Sequence, residues 1–400
     1  MTPSEAPVKT EMPAPNPGPT RSGRLELSGL AHDYGLGVRA VDDVDITIEP
    51  GEFFTLLGAS GSGKSTILQL VAGLLDPSGG RILLDGKDIT GVSPQRRDVG
   101  MVFQSYALFP HMTVRQNIAF PLEVRKAGKQ VIEERVEEML RLVELTDHRD
   151  KNVAQLSGGQ QQRVAIARSL AAVPRVLLLD EPLGALDKRL REQLSAQLRE
   201  VQERAGVTAI YVTHDQVEAF TMSDRVAVLD RGKLIQVGTP EELYHQPRNR
   251  FVAEFVGDAN VVAGRVRALG SQVAYVETGD GRTLEVPTDR TWAKDTAVAL
   301  IVRPENVVVR APGDDNAGRF VRGRVRRNVF VGDSTRTIVD ADGATYTARV
   351  PGHAALSHVG DEVDLCWREH GALLVSDDSA DDRVSPALSQ ELAQPEMERP

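Results

Sequence analysis

A nine-residue loop at residues 58–66 constrains the fold of this chain more than any other stretch. It reads Gly-x-x-x-x-Gly-Lys-Ser, follows a short and mostly apolar strand at residues 53–57, and precedes a segment whose apolar residues recur at helical spacing. A strand, a glycine loop and a helix N-terminus form an anion site, because glycines let backbone N–H groups surround phosphate oxygens and the helix dipole attracts negative charge. The pattern predicts an α/β phosphate-binding domain; the alternative is a glycine turn that binds nothing.

The side chains of this loop point to a nucleotide. We expect Lys64 to direct its charge toward the β- and γ-phosphates, and the Ser65 hydroxyl to ligate Mg²⁺. The residues expected to contact the nucleotide are Gly58, Ala59, Ser60, Gly61, Ser62, Gly63, Lys64, Ser65 and Thr66.

The composition is ordinary for a globular chain of two or more domains, with 400 residues, 41% hydrophobic and 26% charged. A net charge of −10 argues against a chain-wide nucleic-acid surface, because phosphate binding needs excess positive charge. The single cysteine, Cys366, is expected to be a small buried apolar side chain. No apolar run has the length of a membrane span and residues 1–20 lack the apolar segment of a secretory signal, so we expect any membrane role to depend on a partner.

Two acidic residues follow a continuous apolar run at residues 176–179. Such a run is typical of a strand buried on both faces of a parallel sheet, and acids at its carboxyl end lie where ligands bind. We expect Asp180 to hold Mg²⁺, directly or through water, and Glu181 to accept a proton from water. His214 follows another apolar strand, so we expect it at the same edge near a γ-phosphate; a lone histidine is more often structural.

A second phosphate-sized site is predicted at the start of a later helix. Ser157 is expected to be the N-cap, and the helix would begin with Gly158, Gly159 and Gln160. The free N–H groups of such a helix start can bind an anion, although a plain glycine-rich start has the same pattern.

Two further residues lie at positions that suit a nucleotide site. Gln104 directly follows the short apolar strand at residues 99–103, where it can reach a metal ion or an attacking water, or merely hydrogen-bond a loop. Tyr34 lies in a glycine-flanked turn, where adenine stacking and a plain surface aromatic are equally open.

The pattern of predicted secondary structure changes after Gly257. Up to about residue 256 strand and helix patterns alternate, which predicts a largely parallel sheet flanked by helices. Beyond it, short β-rich segments predict a small all-β barrel or sandwich. We therefore expect a disordered tail at 1–22, a nucleotide-binding domain at 23–257, a β domain at 258–375 and a disordered acidic tail at 376–400. Five arginines between 319 and 327 are read as solvent-facing strand positions rather than as a nucleic-acid face.

Together, these motifs resemble the ATP-binding subunit of an ABC transporter over about residues 24–256. Residues 58–65 match the Walker A loop, 176–181 the Walker B strand with its catalytic acid, and 156–160 the signature motif Leu-Ser-Gly-Gly-Gln. Gln104 matches the Q-loop, residues 184–187 the D-loop and residues 213–215 the H-loop, in the family's order. Tyr34 falls at the family's adenine-stacking aromatic, and Gly184 stands where the D-loop usually has Ser.

The resemblance implies that two copies of the chain enclose two ATP molecules with Mg²⁺. Each site would join one copy's Lys64, Ser65, Gln104, Asp180, Glu181 and His214 to the other copy's Ser157, Gly158, Gly159 and Gln160. Glu181 would act as general base, His214 would steady the γ-phosphate, and Ser65, Gln104 and Asp180 would hold the metal. Closing of the pair would drive a membrane permease from the cytoplasmic face of the cell membrane, through a contact near residues 108–110.

The β-rich part resembles the OB-like (TOBE) regulatory domain of importer ATPases. The likeness lies in residues 255–260, Phe-Val-Gly-Asp-Ala-Asn, and 302–305, Val-Arg-Pro-Glu. Importers of carbohydrate, polyamine, iron(III), sulfate and phosphonate share this domain. Residues 51–58 and 106–111 look more like the polyamine and iron branch, and many sugar importers have Tyr where Phe109 stands. We expect uptake of spermidine or putrescine, with an extracytoplasmic solute-binding protein as an indirect partner; iron(III), phosphonate or sugar are the alternatives.

Two other functions compete with the importer. Soluble ABC ATPases of translation or DNA repair usually carry two cassettes or a long coiled coil, whereas this chain has one phosphate loop and no sustained heptads. A degenerate cassette would bind ATP without turnover, and the presence of Glu181 and His214 argues against it.

Overall fold

A computed structural model of the chain describes residues 22–35, 39–184, 188–313, 318–352, 357–368 and 370–377. The chain divides into two compact units. The first comprises the described residues up to Thr55 together with Gly63–Thr213, and the second comprises Leu56–Ser62 and the described residues from His214 onward. The domain boundary at residue 257 stays a prediction.

The first unit combines strands and helices, and the final residues of its strand β3 belong to the second unit. In chain order its elements are β1 (Leu25–Asp33), β2 (Arg39–Ile48), β3 (Phe53–Gly58), α1 (Lys64–Ala72), β4 (Gly79–Leu84), β5 (Lys87–Asp88), β6 (Val99–Val102), α2 (Val114–Val124), α3 (Lys129–Leu142), α4 (Gly158–Ala171), β7 (Val176–Asp180), α5 (Lys188–Ala205) and β8 (Thr208–Thr213). Strands β2, β1, β4 and β5 form an antiparallel sheet in that order.

Parallel strands form the centre of the first unit, where β3, β8, β7 and β6 lie in that order. Strands β6 and β8 both pair with β7 in parallel, with Met101 opposite Leu178 and Leu178 opposite Ile210. The apolar residues of β7 are fully buried, and helix α1 packs against β7 and β8. An unbroken apolar run is typical of a strand that is shielded on both faces. The prediction of a buried parallel strand that ends at Asp180 is therefore confirmed.

The second unit begins with helices and a hairpin and continues as an all-β region. Its elements are α6 (Gln216–Met222), β9 (Arg225–Asp230), β10 (Lys233–Gly238), α7 (Pro240–His245), α8 (Arg250–Phe255), β11 (Asn260–Leu269), β12 (Val273–Thr278), β13 (Thr283–Pro287), β14 (Ala297–Val302), β15 (Val307–Arg310), β16 (Arg319–Phe330), β17 (Ser334–Ala341), β18 (Ala344–Pro351), β19 (Glu362–Trp367) and β20 (Ala372–Ser376).

Two antiparallel five-stranded sheets make up the all-β region, in the orders β13-β12-β11-β14-β20 and β15-β19-β16-β17-β18. Strands such as β12 and β13 alternate buried and more exposed residues, as expected for sheets with one face on a core. One apolar cluster takes residues from both sheets, including Val276, Phe320 and Leu365. The predicted small all-β domain is confirmed.

The arginine-rich strand β16 is tied into its own sheet by ion pairs. Arg322 binds the fully buried Asp364 with two hydrogen bonds, of 2.6 Å and 3.0 Å, and Arg319 lies 3.7 Å from the same carboxylate. Arg326 pairs with the exposed Asp340 at 3.5 Å. These ion pairs give the arginines a role inside the domain that needs no nucleic acid. Beside them, Cys366 is buried as predicted, and its burial raises the pKa of its thiol.

A buried arginine joins the helices of the second unit to strand β14. Arg303 donates hydrogen bonds to the backbone carbonyls of Ala253 at 2.7 Å and Gly257 at 2.9 Å, and its guanidinium lies 4.3 Å from the centre of the Tyr244 ring. The Tyr244 hydroxyl donates to the carboxylate of Glu305. Burial first, and then the bond to Glu305, raise the pKa of Tyr244 to about 12.

Among the described residues, no helix has both the length and the apolar character needed to cross a membrane.

Candidate functional site

The first half of the glycine loop belongs to the second unit, where the backbone demands glycine at two positions. A Cβ on Gly58 would clash with the side chain of Ser62, and Gly61 has a φ of +79°. The N–H of Ser62 donates to the carbonyl of Ala59 at 3.2 Å, which closes a turn with Ser60 exposed at its tip. The glycines therefore set a tight loop directly after β3.

The second half of the loop is the N-terminus of α1 in the first unit. Gly63 is the N-cap with a φ of +98°, a conformation that favours glycine, and no side chain caps this helix. Lys64 is buried, with 5% of its surface exposed, and Ser65 and Thr66 are half-buried beside it. Because the first N–H groups of a helix lack partners within the helix, this end favours a bound anion.

Ser65 and Asp180 bring the first turn of α1 to the carboxyl end of β7. The Ser65 hydroxyl donates to Asp180 Oδ1 at 2.9 Å. Burial raises the pKa of Asp180 despite the Ser65 hydrogen bond and the Lys64 charge, and burial lowers the pKa of Lys64 despite Asp180 and Glu181. A hydroxyl and a carboxylate are oxygen ligands of the kind that Mg²⁺ prefers, and a cation would offset the burial of Asp180. These two residues fit a magnesium site.

Glu181 has a strained backbone. Its φ of +42° lies in the left-handed region, which residues with a side chain rarely adopt, and its N–H donates to the carbonyl of Val212 at 3.1 Å. Such strain persists where the surrounding structure enforces it, and it concentrates at functional sites. The half-buried Glu181 is therefore held at the end of β7 by the parallel sheet rather than by its own preference.

Gln104 and Glu181 both lie close to Gly184. A Cβ on Gly184 would lie 3.6 Å from Gln104 Nε2 and 3.8 Å from Glu181 Oε2, so both side chains lie on the same side of this glycine. Among the described residues, Gln104 makes no hydrogen bond to Ser65 or Asp180. The other predicted D-loop residues, 185–187, lie outside the described part of the chain.

Tyr34 presents an exposed ring beside the start of α1. Its hydroxyl is 3.3 Å from Thr66 Oγ1, and 56% of its surface is exposed. The ring of His32 meets it edge-on at 4.6 Å between centroids, and His32 Nδ1 bonds the carbonyl of Asp76 at 2.9 Å. An exposed aromatic ring held in this way can stack on a base.

Residues of the signature motif begin α4 as predicted. Ser157 is the N-cap, and it exchanges hydrogen bonds with Gln160 in a capping box. Gly158 is exposed, whereas Gly159 is buried, and a Cβ there would lie 3.1 Å from the Leu194 side chain. The second glycine therefore allows close packing against Leu194 of α5, and the exposed end of α4 suits an anion.

In the second unit, His214 is exposed and directly precedes the cap of α6. The carboxylate of Asp215 accepts hydrogen bonds from the N–H groups of Val217 at 2.8 Å and Glu218 at 3.2 Å. This cap fixes the backbone that presents His214.

Comparison with known proteins identifies the family. The family described as "ABC transporter" matches residues 41–184, and the family described as "TOBE domain" matches residues 300–375. The spermidine/putrescine import ATP-binding protein PotA of Thermobifida fusca (strain YX) is 46% identical over 358 residues, which cover 88% of this chain and 93% of that protein. The chain belongs to the ABC transporter family.

Other relatives agree with this assignment to the ABC transporters. The putrescine transport ATP-binding protein PotG of Escherichia coli (strain K12) is 44% identical over 358 residues, covering 88% of this chain and 95% of that protein. Among solved structures, cbiO1 from Clostridium perfringens, part of the ABC transporter complex cbiONQ, is 36% identical with a TM-score of 0.52, covering 55% of this chain and 89% of that chain.

Sequence reasoning missed one side chain that shapes this ABC transporter site. Arg168 on α4 donates hydrogen bonds to the carbonyls of Ala107 at 2.8 Å and Tyr106 at 3.0 Å, and it lies 5.5 Å from the centre of the Phe109 ring. Tyr106 and Ala107 both have positive φ, so Arg168 fixes the unusual backbone that follows Gln104. The available signal was a charged residue in an otherwise apolar stretch of α4.

Proposed function

We propose that this chain is the ATP-hydrolysing subunit of an importer that takes up a polyamine, spermidine or putrescine. ATP binding and ATP hydrolysis coupled to transport follow from its membership of the ABC transporter family. The observation that supports the catalytic assignment is the meeting of the α1 N-terminus, Asp180 and the strained Glu181 at one end of β7.

In this proposal each group of site residues contacts a different part of the nucleotide. Residues 58–66 surround the phosphates, Lys64 supplies charge to the β- and γ-phosphates, and Tyr34 stacks on adenine. Ser65 and Asp180 would hold Mg²⁺, which would neutralise phosphate charge, and Gln104 is the third candidate ligand.

Glu181 acts as the general base on the attacking water, and Gln104, whose amide lies on the same side of Gly184 as the Glu181 carboxylate, orients that water. His214 steadies the γ-phosphate. Hydrolysis needs a second copy of the chain, whose Ser157, Gly158, Gly159 and Gln160 bring the exposed N-terminus of α4 to the γ-phosphate.

The partner in the membrane is a permease, which this chain meets from the cytoplasmic face; a solute-binding protein acts indirectly. We assign the permease contact to residues 108–110. Phe109 in this segment is fixed by two hydrogen bonds to the fully buried Asn117, of 3.0 Å and 3.2 Å, and by its contact with Phe120 at 4.5 Å. A rigid, partly exposed apolar segment suits a docking surface.

The choice of polyamine rests on the relatives. PotA and PotG, named for spermidine and putrescine, match 88% of this chain at 46% and 44% identity. The solute meets the permease rather than this subunit, so the nucleotide site itself does not distinguish polyamine from iron(III), phosphonate or sugar.

The catalytic part of the proposal is tested with Glu181→Gln. The amide keeps the shape of the side chain but cannot accept the proton, so we expect ATP to bind with unchanged affinity and to trap a stable dimer. Gel filtration with ATP and Mg²⁺ measures the dimer, and Glu134→Gln on the exposed face of α3 is the matched control. A Glu181→Gln chain that stays monomeric in ATP contradicts the proposal, and equal ATPase rates of wild type and Glu181→Gln would favour a cassette without turnover.

A further inference from the structure

A histidine outside the predicted site is hydrogen-bonded to the signature motif. His148 lies on the 3-10 helix Thr146–His148 and is half-buried. Its Nε2 lies 3.1 Å from Nε2 of Gln160, and the Oε1 atom of the same amide accepts a hydrogen bond from the backbone N–H of Ser157 at 3.0 Å.

The donor and the acceptor of both hydrogen bonds that link Ser157, Gln160 and His148 follow from the chemistry of the groups. The N–H of Ser157 can only donate, so the oxygen of the Gln160 amide faces it and the NH₂ group faces His148. An amide NH₂ also only donates, so His148 accepts through Nε2 and carries its proton on Nδ1. If the amide turned over, two donors would meet at Ser157.

The capping box of α4 depends on this orientation. The capping box consists of two hydrogen bonds. The one from the Gln160 N–H to Ser157 Oγ is long, at 3.4 Å, whereas the one from the Ser157 N–H to the amide oxygen of Gln160 is 3.0 Å. Two further capping boxes in the first unit also use glutamine, Gln116 and Gln155. Within the described ranges, the amides of those two glutamines bond only their own caps.

We propose that His148 is a positioning residue for the signature motif. As a neutral acceptor it fixes the amide of Gln160, which fixes Ser157 and hence the direction of the N–H groups at the start of α4. The inference rests on the proposed function, in which those groups contact the γ-phosphate bound by the second copy. His148 itself touches no nucleotide, so its loss should weaken the ATP-bound dimer and leave ATP binding by one copy intact.

The test compares dimer formation with nucleotide binding in the full-length chain. In the Glu181→Gln background, sedimentation with ATP and Mg²⁺ measures dimer dissociation, and calorimetry at low protein concentration measures the ATP affinity of the monomer. We expect His148→Phe, which keeps a ring but loses the acceptor, to weaken the dimer about tenfold to a hundredfold, because the pair loses one hydrogen bond of the usual strength in each copy. ATP affinity should change less than about twofold, because the removed bond lies outside the monomer's own phosphate site.

Three further variants separate positioning from general damage. His148→Gln, whose amide oxygen can accept in place of Nε2, should restore most of the dimer; His358→Phe, at a side chain 96% exposed, should have no effect. In a Gln160→Ala background, His148→Phe should add nothing further. If His148→Phe does not fold, His148→Leu makes the same comparison.

An unchanged dimer in His148→Phe overturns the inference while leaving the proposed function in place. So does an effect that adds fully to Gln160→Ala, or a parallel loss of ATP affinity and dimer that His148→Gln does not rescue. If Glu181→Gln itself forms no dimer with ATP, both the proposed function and this inference are contradicted.

Discussion

Lys64 and Asp180 are ionisable side chains placed where burial opposes their charge. Burial lowers the pKa of Lys64 and raises that of Asp180. Taking charged groups out of water destabilises a fold unless other charges or ligands compensate for it. In the proposed function, an anionic phosphate beside Lys64 and a cation beside Asp180 would supply that compensation, so at the residue scale these two side chains suit ligand binding rather than the stability of the empty chain.

The buried charge of Lys64 predicts the effect of Lys64→Ala on nucleotide binding. Loss of a charge-assisted hydrogen bond to phosphate removes about 1.5–3 kcal/mol, so the Kd for ATP should rise about tenfold to a hundredfold. Calorimetric titration measures the Kd, and Lys87→Ala on an exposed strand position is the control. A Kd equal to that of wild type would show that Lys64 does not reach the phosphates.

At the same scale, the sequence predicts residues whose role follows from local pattern and misses those whose role depends on distant atoms. Ser157 as an N-cap follows from its position before two glycines, and the structure confirms it. Arg303 contacts the carbonyl of Ala253, which lies 50 positions earlier in the chain, and no local pattern identifies that partner. The strain at Glu181 is likewise invisible in the sequence, because the sheet imposes it.

At the scale of elements, Arg303 acts as a side-chain cap for helix α8. A helix leaves its last carbonyls without partners inside the helix, and here the guanidinium at the end of β14 binds the carbonyls of Ala253 and Gly257. Strand β14 and helix α8 are thereby joined through one buried charge. The ring of Tyr244 on α7 covers the same guanidinium, so three elements meet at this residue.

The shifted pKa of Tyr244 makes this junction sensitive to alkaline pH. Tyrosine is neutral when protonated, and its folded pKa of about 12 lies above the ordinary value of 10.0. The contribution to stability is therefore complete below pH 10 and is lost as the pH rises toward 12, because the folded state then holds a proton that the unfolded state releases.

We expect the free energy of unfolding of wild type to fall more steeply over that pH range than that of Tyr244→Phe. Denaturant titrations at a series of pH values measure it, and ultraviolet absorbance should show one late-titrating tyrosine fewer in the variant than in wild type, because burial also raises the pKa of Tyr106 and of Tyr346. Tyr275→Phe, at a half-buried position on β12, is the matched control. Equal slopes for wild type and Tyr244→Phe would contradict the pKa argument.

At the scale of the whole molecule, sequence alone predicts the order of motifs and the change from α/β to all-β structure. The change of class is predicted because strand and helix patterns alternate in the first part of the chain and short β segments follow. Each pattern reflects which faces of an element are buried. The transported solute, by contrast, does not follow from the nucleotide site. In the proposed function the described site binds a nucleotide, whose chemistry is the same whatever the permease carries, so the proposed solute is tested by a measurement on cells.

We predict that replacing the wild-type chain in its own cells by Glu181→Gln abolishes uptake of radiolabelled spermidine or putrescine. The permease would lose its energy source, because a trapped dimer cannot reset, while uptake of iron(III) and maltose should continue through their own importers. Cells that carry Glu134→Gln should take up all four solutes at the wild-type rate. Selective loss of iron(III) or maltose uptake would keep the ATPase mechanism and change the solute, and unchanged uptake of all four would contradict the polyamine proposal.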